Sequence, residues 1–154
     1  MFEKYTERAR RVIFFARYEV SEFGSKAIEP EHLLLGLLRE GQAALTRLLP
    51  AGVSVDLIRA QVESAMTKGD RITTSVEIPL SPMSQDVLRY AHEESEGLGH
   101  RHIGTEHLLL GLLRQTKTVS LQREKGSVAE RVLRENGLEL ADLRQRVKDD
   151  AEKK

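Results

Sequence analysis

The phrase IEPEHLLLGLLRE, residues 28–40, returns as IGTEHLLLGLLRQ, residues 103–115, changed only where the first copy has Glu29, Pro30 and Glu40. A near-verbatim repeat constrains a fold more than composition does, because each copy carries the same apolar face and both faces must be covered. Aligned at a shift of 75, the match extends upstream: Thr6 meets Ser81, Val12 meets Val87, Ala16 meets Ala91, Glu19 meets Glu94, Gly24 meets Gly99 and Ile28 meets Ile103. Downstream the shift becomes 85, and Gly41, Ala44, Leu48, Gly52 and Val62 meet Gly126, Ala129, Leu133, Gly137 and Val147. The chain is a tandem duplication, with extra residues in the second copy placed within 115–125. Two copies are too few to stack as a solenoid. The expected outcome is a pseudo-twofold bundle whose halves bury their apolar faces against each other.

Each half reads as four helices. Tyr5, Ala9, Val12, Ile13, Ala16, Val20 and Phe23 recur at the spacing of one buried stripe. Thr6 is placed to cap that helix and Gly24 to stop it. Ser81 followed by Pro82 opens the corresponding helix of the second copy, and Pro30 opens the helix that runs through EHLLLGLLRE, since proline in the first turn loses no bonded N–H. Ser54 marks a later start, as does Ser127, with Glu130 three residues on as a capping box. The Leu run is core, and its single glycine allows close helix packing. The stretch GDRITTSVEIP has β-branched residues without helical period and reads as an extended linker. The expectation is an all-α, eight-helix bundle in one domain: a first repeat at 1–68, a linker at 69–79, and a second repeat at 80–151.

Charge and composition narrow the functional classes. The 154 residues carry 24 acidic and 24 basic side chains, so no global field points to nucleic acid or a membrane. The absence of cysteine excludes disulfides, thiolate metal sites and a thiol nucleophile. The charged opening MFEKYTERARR and the lack of a long apolar run lead to the expectation of a cytoplasmic protein. There is no phosphate-binding loop with Lys and Ser/Thr and no nucleophile elbow, so a non-enzymatic chain without a cofactor is expected. His100, His102 and His107 raise the question of zinc. His32 recurs at the helical place of His107, however, and a histidine repeated at two helix starts is more simply a capping or core-edge residue. No metal is expected.

Two features remain. Phe14 falls on the helical face opposite the buried stripe, flanked by Arg10 and Arg17, a composition that suits a partner surface. Its counterparts in the second copy are Arg89 for Phe14, Gln85 for Arg10 and His92 for Arg17, so the copies agree in the core and differ outside. Glu31 and Glu106 each sit in the first turn of a Leu-rich helix. The helix dipole accounts for either acid alone. The acid together with the N–H groups beside it also makes a pocket with two chemistries: the carboxylate takes a guanidinium and the helix end an anion.

The opening MFEKYTERARRVIFFARYE, the doubled EHLLLGLL phrase and the capped LSPMSQDVLRYAHEE together resemble the double-repeat N-terminal domain of Clp AAA+ unfoldases, most closely the ClpC type. The resemblance covers nearly the whole chain. It implies an eight-helix domain that receives adaptors and unfolded or tagged substrates for an ATPase ring feeding the ClpP peptidase, in some members by docking phosphoarginine. A free-standing regulator of the same protease is the alternative. By the resemblance, Glu31, Thr105 and Glu106 match phosphoarginine contacts, and Phe2, Arg10, Ile13, Phe14 and Arg17 match positions lining a groove between the first helices of the two repeats. Leu80, Gln85 and Arg89 stand where the family commonly has an aromatic, a lysine and an acid. The first copy departs from the usual GTEH by reading EPEH, in which Pro30 lacks an N–H and Glu29 adds a charge.

Overall fold

A computed structural model describes residues 2–73, 77–114 and 127–152. The insertion expected at 115–125 and part of the linker lie outside the described residues. Eight helices are found among those described: α1 (Glu7–Phe23), α2 (Pro30–Glu40), α3 (Gln42–Leu48), α4 (Val55–Ala65), α5 (Pro82–Gly97), α6 (Thr105–Arg114), α7 (Val128–Glu135) and α8 (Leu140–Glu152). None is long and apolar enough to cross a membrane.

The helix starts follow their caps. Thr6 Oγ1 accepts from the Ala9 N–H at 3.1 Å, and Ser54, Ser81 and Ser127 accept likewise from the third residue on. Gly24 ends α1 at φ 70°, where a residue with a Cβ is strained. One capping expectation is only half met. Ser127 caps α7, but the Glu130 carboxylate is taken by Arg134 and does not reach back to the cap. A charged partner one turn away outcompetes a backbone N–H for a buried carboxylate.

Within each repeat the first two helices cross where the second carries its glycine. A Cβ on Gly36 would lie 2.5 Å from the Val12 carbonyl oxygen and 2.8 Å from the Ala16 nitrogen. On Gly111 it would lie 2.4 Å from the Val87 carbonyl and 3.1 Å from the Ala91 nitrogen. The glycine of the repeated phrase and the alanine of the preceding helix are therefore one contact, made twice. Around it Leu34, Leu35, Leu37 and their equivalents Leu109, Leu110 and Leu112 are buried in a single core with Val12, Ala16, Val87 and Ala91.

The repeats are joined by exchanged backbone bonds. The Thr6 N–H donates to the Ile103 carbonyl at 3.0 Å and the Ile103 N–H to the Lys4 carbonyl at 2.9 Å. Their counterparts are Ser81 N–H to Ile28 at 3.0 Å and Ile28 N–H to Pro79 at 2.8 Å. Each segment before a first helix thus pairs with the segment before the other repeat's second helix, which is the signature of a pseudo-twofold axis.

A second duplicated device is charged. Glu19, 1% exposed, accepts from Arg39 at 3.2 Å and Arg59 at 2.7 Å. Glu94 accepts from Arg114 at 3.1 Å and from Arg144 at 2.6 and 2.8 Å. In both halves one buried acid ties the first, second and fourth helices of the repeat together. Burying a carboxylate is costly unless it is paired, so removing the acid or its arginines leaves an uncompensated charge.

The crossing yields a prediction. Gly36→Ala should cost about 1–3 kcal/mol, because the added methyl meets backbone that has no room to move. Gly97→Ala, where a Cβ meets nothing within 4 Å, should leave stability unchanged or raise it by up to about 1 kcal/mol. Urea unfolding of the two variants checks the contrast.

Candidate functional site

Glu31 and Glu106 each open onto a pocket at the start of their helix, and the two pockets are related by the pseudo-twofold axis. The first, about 280 Å³, is lined by Ser25, Glu29, Glu31, His32, Ala65 and Met66, with Val128 contributed by the second repeat. The second, about 270 Å³, is lined by His100, His102, Glu106, Asp150 and Ala151, with Leu48 contributed by the first repeat. Position for position, Ser25 corresponds to His100, Glu31 to Glu106, Ala65 to Asp150 and Met66 to Ala151. The scaffold is the same and the chemistry differs.

The histidines of the repeated phrase are caps, as their recurrence implied. His32 Nδ1 accepts from the Glu29 N–H at 2.8 Å, and His107 Nδ1 accepts from the Gly104 N–H at 2.8 Å. An accepting Nδ1 places the proton of a neutral ring on Nε2. His107 then donates from Nε2 to His100 Nδ1 at 2.8 Å. Among the described residues His32 Nε2 has no partner, although the residue is only 2% exposed. Burial pulls the His32 ring down to about 4, so it is neutral at physiological pH. His100 is lowered by burial and by the neighbouring His107 and His102.

Ligating atoms of His102, Glu106 and His107 lie within 4.8 Å of one another. The hydrogen bonds argue against reading this trio as a metal centre. Both nitrogens of His107 are engaged, one on the Gly104 N–H and one toward His100, so that ring ligates only by giving up its cap.

The acids themselves sit differently. A Cβ built on Gly104 would lie 1.9 Å from Glu106 Oε1. Glu106 therefore folds back over the start of α6, an arrangement that depends on the glycine. Glu29 occupies the corresponding place in the first copy and has a side chain there. Burial and the adjacent Glu29 charge push Glu31 up to about 7, against a hydrogen bond from its own backbone that pulls it down. Thr105, the first residue of α6, is largely buried.

A depression of about 540 Å³ is lined by Leu80, Gln85 and Arg89, together with Tyr5, Asp86 and His92. Phe2 stacks edge-on against Tyr5 at 5.0 Å, and its carbonyl accepts from Arg10. Ile13 packs partly against the core. Phe14 stands 69% exposed on the outer face of α1, as its helical position required, and touches Phe15 edge-on at 5.7 Å. Arg17 donates to Ser21 at 2.7 Å, one turn along the helix. Phe14 and Arg17 do not line the depression. Asp86 was missed by the sequence reading, as were Ser25, Ala65 and Asp150 in the pockets, while Tyr5 entered it only in the buried stripe and His92 only as the counterpart of Arg17. The two alignment shifts carried a signal for all but Asp86: Tyr5 pairs with Leu80, His92 with Arg17, Ser25 with His100 and Ala65 with Asp150.

Residues 4–122 match the family of the Clp repeat (R) N-terminal domain. The chain belongs to that family. The "ATP-dependent Clp protease ATP-binding subunit ClpA homolog" of Guillardia theta is 39% identical over 148 residues, covering 96% of this chain and 17% of that protein. The "Negative regulator of genetic competence ClpC/MecB" of Bacillus subtilis is 36% identical with the same coverage. The chain thus spans about a sixth of the length of the curated relatives it matches. Among solved structures, the N-terminal domain of the chaperone ClpD from Arabidopsis thaliana superposes with a TM-score of 0.72 at 26% identity, over 99% of this chain and 97% of that one. The Hsp104 N-terminal domain from Candida albicans shares the fold at a TM-score of 0.72 and 17% identity, over 99% and 94% of the two chains. This Clp repeat domain is therefore all-α, with the eight-helix architecture that the repeat implied.

The Glu31 environment makes a pH prediction. Its folded value lies above the ordinary 4.5, so the native state holds a proton that the unfolded chain releases. Glu31 makes stability fall as pH rises from about 4.5 to about 7, whereas His32, held down at about 4, makes it rise over nearly the same window. The two oppose each other, and Glu31→Gln should leave a stability that rises more steeply with pH than in the unaltered chain. Carboxyl NMR titration should place the Glu31 midpoint near 7 and find it lower in Glu29→Gln.

Proposed function

We propose that this domain docks adaptors and substrate proteins for a Clp-type ATP-driven unfoldase, and that its second pocket reads phosphoarginine. Family membership supports the docking role, and the names of the relatives supply its protease context. The observation that carries the ligand assignment is the second pocket itself: Glu106 at a helix start, beside His100, His102 and a first turn whose Thr105 keeps the N–H that Pro30 lacks. The guanidinium end of the ligand meets the Glu106 carboxylate, and the phosphoryl group meets the N–H groups of the first turn. Glu106 must swing off the Gly104 backbone to receive it. A docked chain is held at high effective concentration above the ring, so the domain acts by binding and does no chemistry of its own.

The copies should respond unequally to the same substitution. Loss of one charge-assisted hydrogen bond is worth roughly 1.5–3 kcal/mol, so Glu106→Ala should weaken phosphoarginine binding more than tenfold and Glu31→Ala much less. Calorimetric titration measures both. No heat at millimolar ligand would remove the tag-reading role, and equal losses would remove the distinction between the copies.

The exposed face of α1 is proposed as the adaptor and unfolded-substrate surface, with Phe14 as its aromatic anchor and Arg10 and Arg17 beside it. Phe14→Ala should reduce such binding by about 1–2 kcal/mol while unfolding at an unchanged urea midpoint. A drop of several kcal/mol in stability would place Phe14 in the core and end the assignment.

A further inference from the structure

The first pocket holds two half-buried acids without the cationic partners that the described buried acids have. Glu19 and Glu94 each hold two arginines, and Glu130 holds Arg134. Asp150, in the second pocket, lies 3.6 Å from Arg47. Glu29 and Glu31 share one cavity, and among the described residues neither has a cationic partner; the Glu29 carboxylate accepts only from the His32 backbone N–H of the α2 capping box. The remaining walls, Ser25, Ala65, Met66 and Thr67, are neutral. Two adjacent carboxylates in a partly desolvated pocket repel one another until a cation arrives.

A second, independent observation concerns His32. Its Nδ1 is fixed as the acceptor for the Glu29 N–H, so the buried Nε2 is an N–H donor with nothing to receive it. In the second repeat the same donor is satisfied by His100. Here Ser25 replaces that histidine, and its hydroxyl donates to the Ala27 carbonyl at 2.8 Å. A native protein rarely leaves a buried donor unmet. Among the described residues the first pocket offers neither a cation to the two acids nor an acceptor to His32 Nε2.

We propose that the first pocket binds an unmodified arginine residue of a peptide, with the guanidinium against Glu29 and Glu31 and a peptide carbonyl accepting from His32 Nε2. Arginine suits two carboxylates better than lysine does, because its planar fork offers several donors in fixed directions whereas an ammonium is a point charge. The Ala65 and Met66 walls accommodate the methylene stem. A phosphorylated arginine is disfavoured, since Glu29 repels the phosphate and Pro30 withholds an N–H. The held-up protonation of Glu31 agrees with a site that lacks its counter-charge in the empty state. The inference rests on the docking reading above and adds that the two copies select different forms of one side chain.

The test is a titration of N-acetyl-arginine-amide into the 154-residue chain, followed by amide NMR at residues 29–32 and 104–107 and by the His32 ring. Expected are saturable shifts at 29–32 with a change at the His32 Nε2–H. Glu31→Gln should weaken them at least tenfold, and the Glu29→Gln, Glu31→Gln double variant should lose them, with amides elsewhere unmoved to show an intact fold. The corresponding lysine amide should bind at least fivefold more weakly. Absence of saturable shifts, persistence in the double variant, equal binding of the lysine probe, or tighter binding of the phosphorylated probe at 29–32 would each overturn the assignment. Shifts at 104–107 with the phosphorylated probe report on the docking reading separately, so either claim fails without the other.

Discussion

The contact of a glycine in one helix with an alanine in the helix before it sets the geometry of this domain. At Gly36 over Ala16 and at Gly111 over Ala91, a side chain would collide with backbone atoms of the neighbouring helix. That approach fixes how each pair crosses and which leucines turn inward, and it places the start of the second helix beside the first helix's end. The pockets lie at that junction. Exchanged backbone bonds then lock one pair to the other through Ile28 and Ile103, each flanking a pocket and each bonded across the pseudo-twofold axis. Packing, symmetry and site all descend from one phrase written twice.

Duplication preserves what the core needs and releases what it does not. The buried Glu19 and Glu94 clamps, the histidine caps and the glycine crossings are kept in both halves, because each is surrounded by atoms that leave no alternative. The pocket rims face outward and have diverged: Ser25 against His100, Glu29 against Gly104, Ala65 against Asp150. One scaffold thereby presents an acidic cavity with an unmet donor on one side and an imidazole-lined cavity on the other.

Much of this was legible in the sequence because it is local or periodic. The caps at Thr6, Ser54, Ser81 and Ser127, the stop at Gly24, the exposure of Phe14 and the capping role of His32 and His107 all depend on residues within one or two turns. The acid clamps were harder to read. Glu19 and Glu94 align at once, but their arginines come from different helices, Arg39 and Arg114 at one shift, Arg59 and Arg144 at the other. Pocket walls were harder still. Val128 and Leu48 reach across from the opposite repeat, and nothing in a single helix's period announces such a contact. Of the groove positions carried over from the resemblance, Leu80, Gln85 and Arg89 line a depression together with Tyr5, while Phe14 stands exposed on α1.

The central claim is that Glu29 and Pro30, standing where the second copy has Gly104 and Thr105, make the first pocket unlike the second. The most direct measurement is the stoichiometry of phosphoarginine binding to the chain carrying Glu29→Gly and Pro30→Thr together. Removing Glu29 takes away the charge that repels the phosphate, and the threonine returns an N–H to the helix start. The account predicts that calorimetry finds one site in the unaltered chain and two in the double variant. Two sites before the change, or one after it in a variant that remains folded, would contradict it.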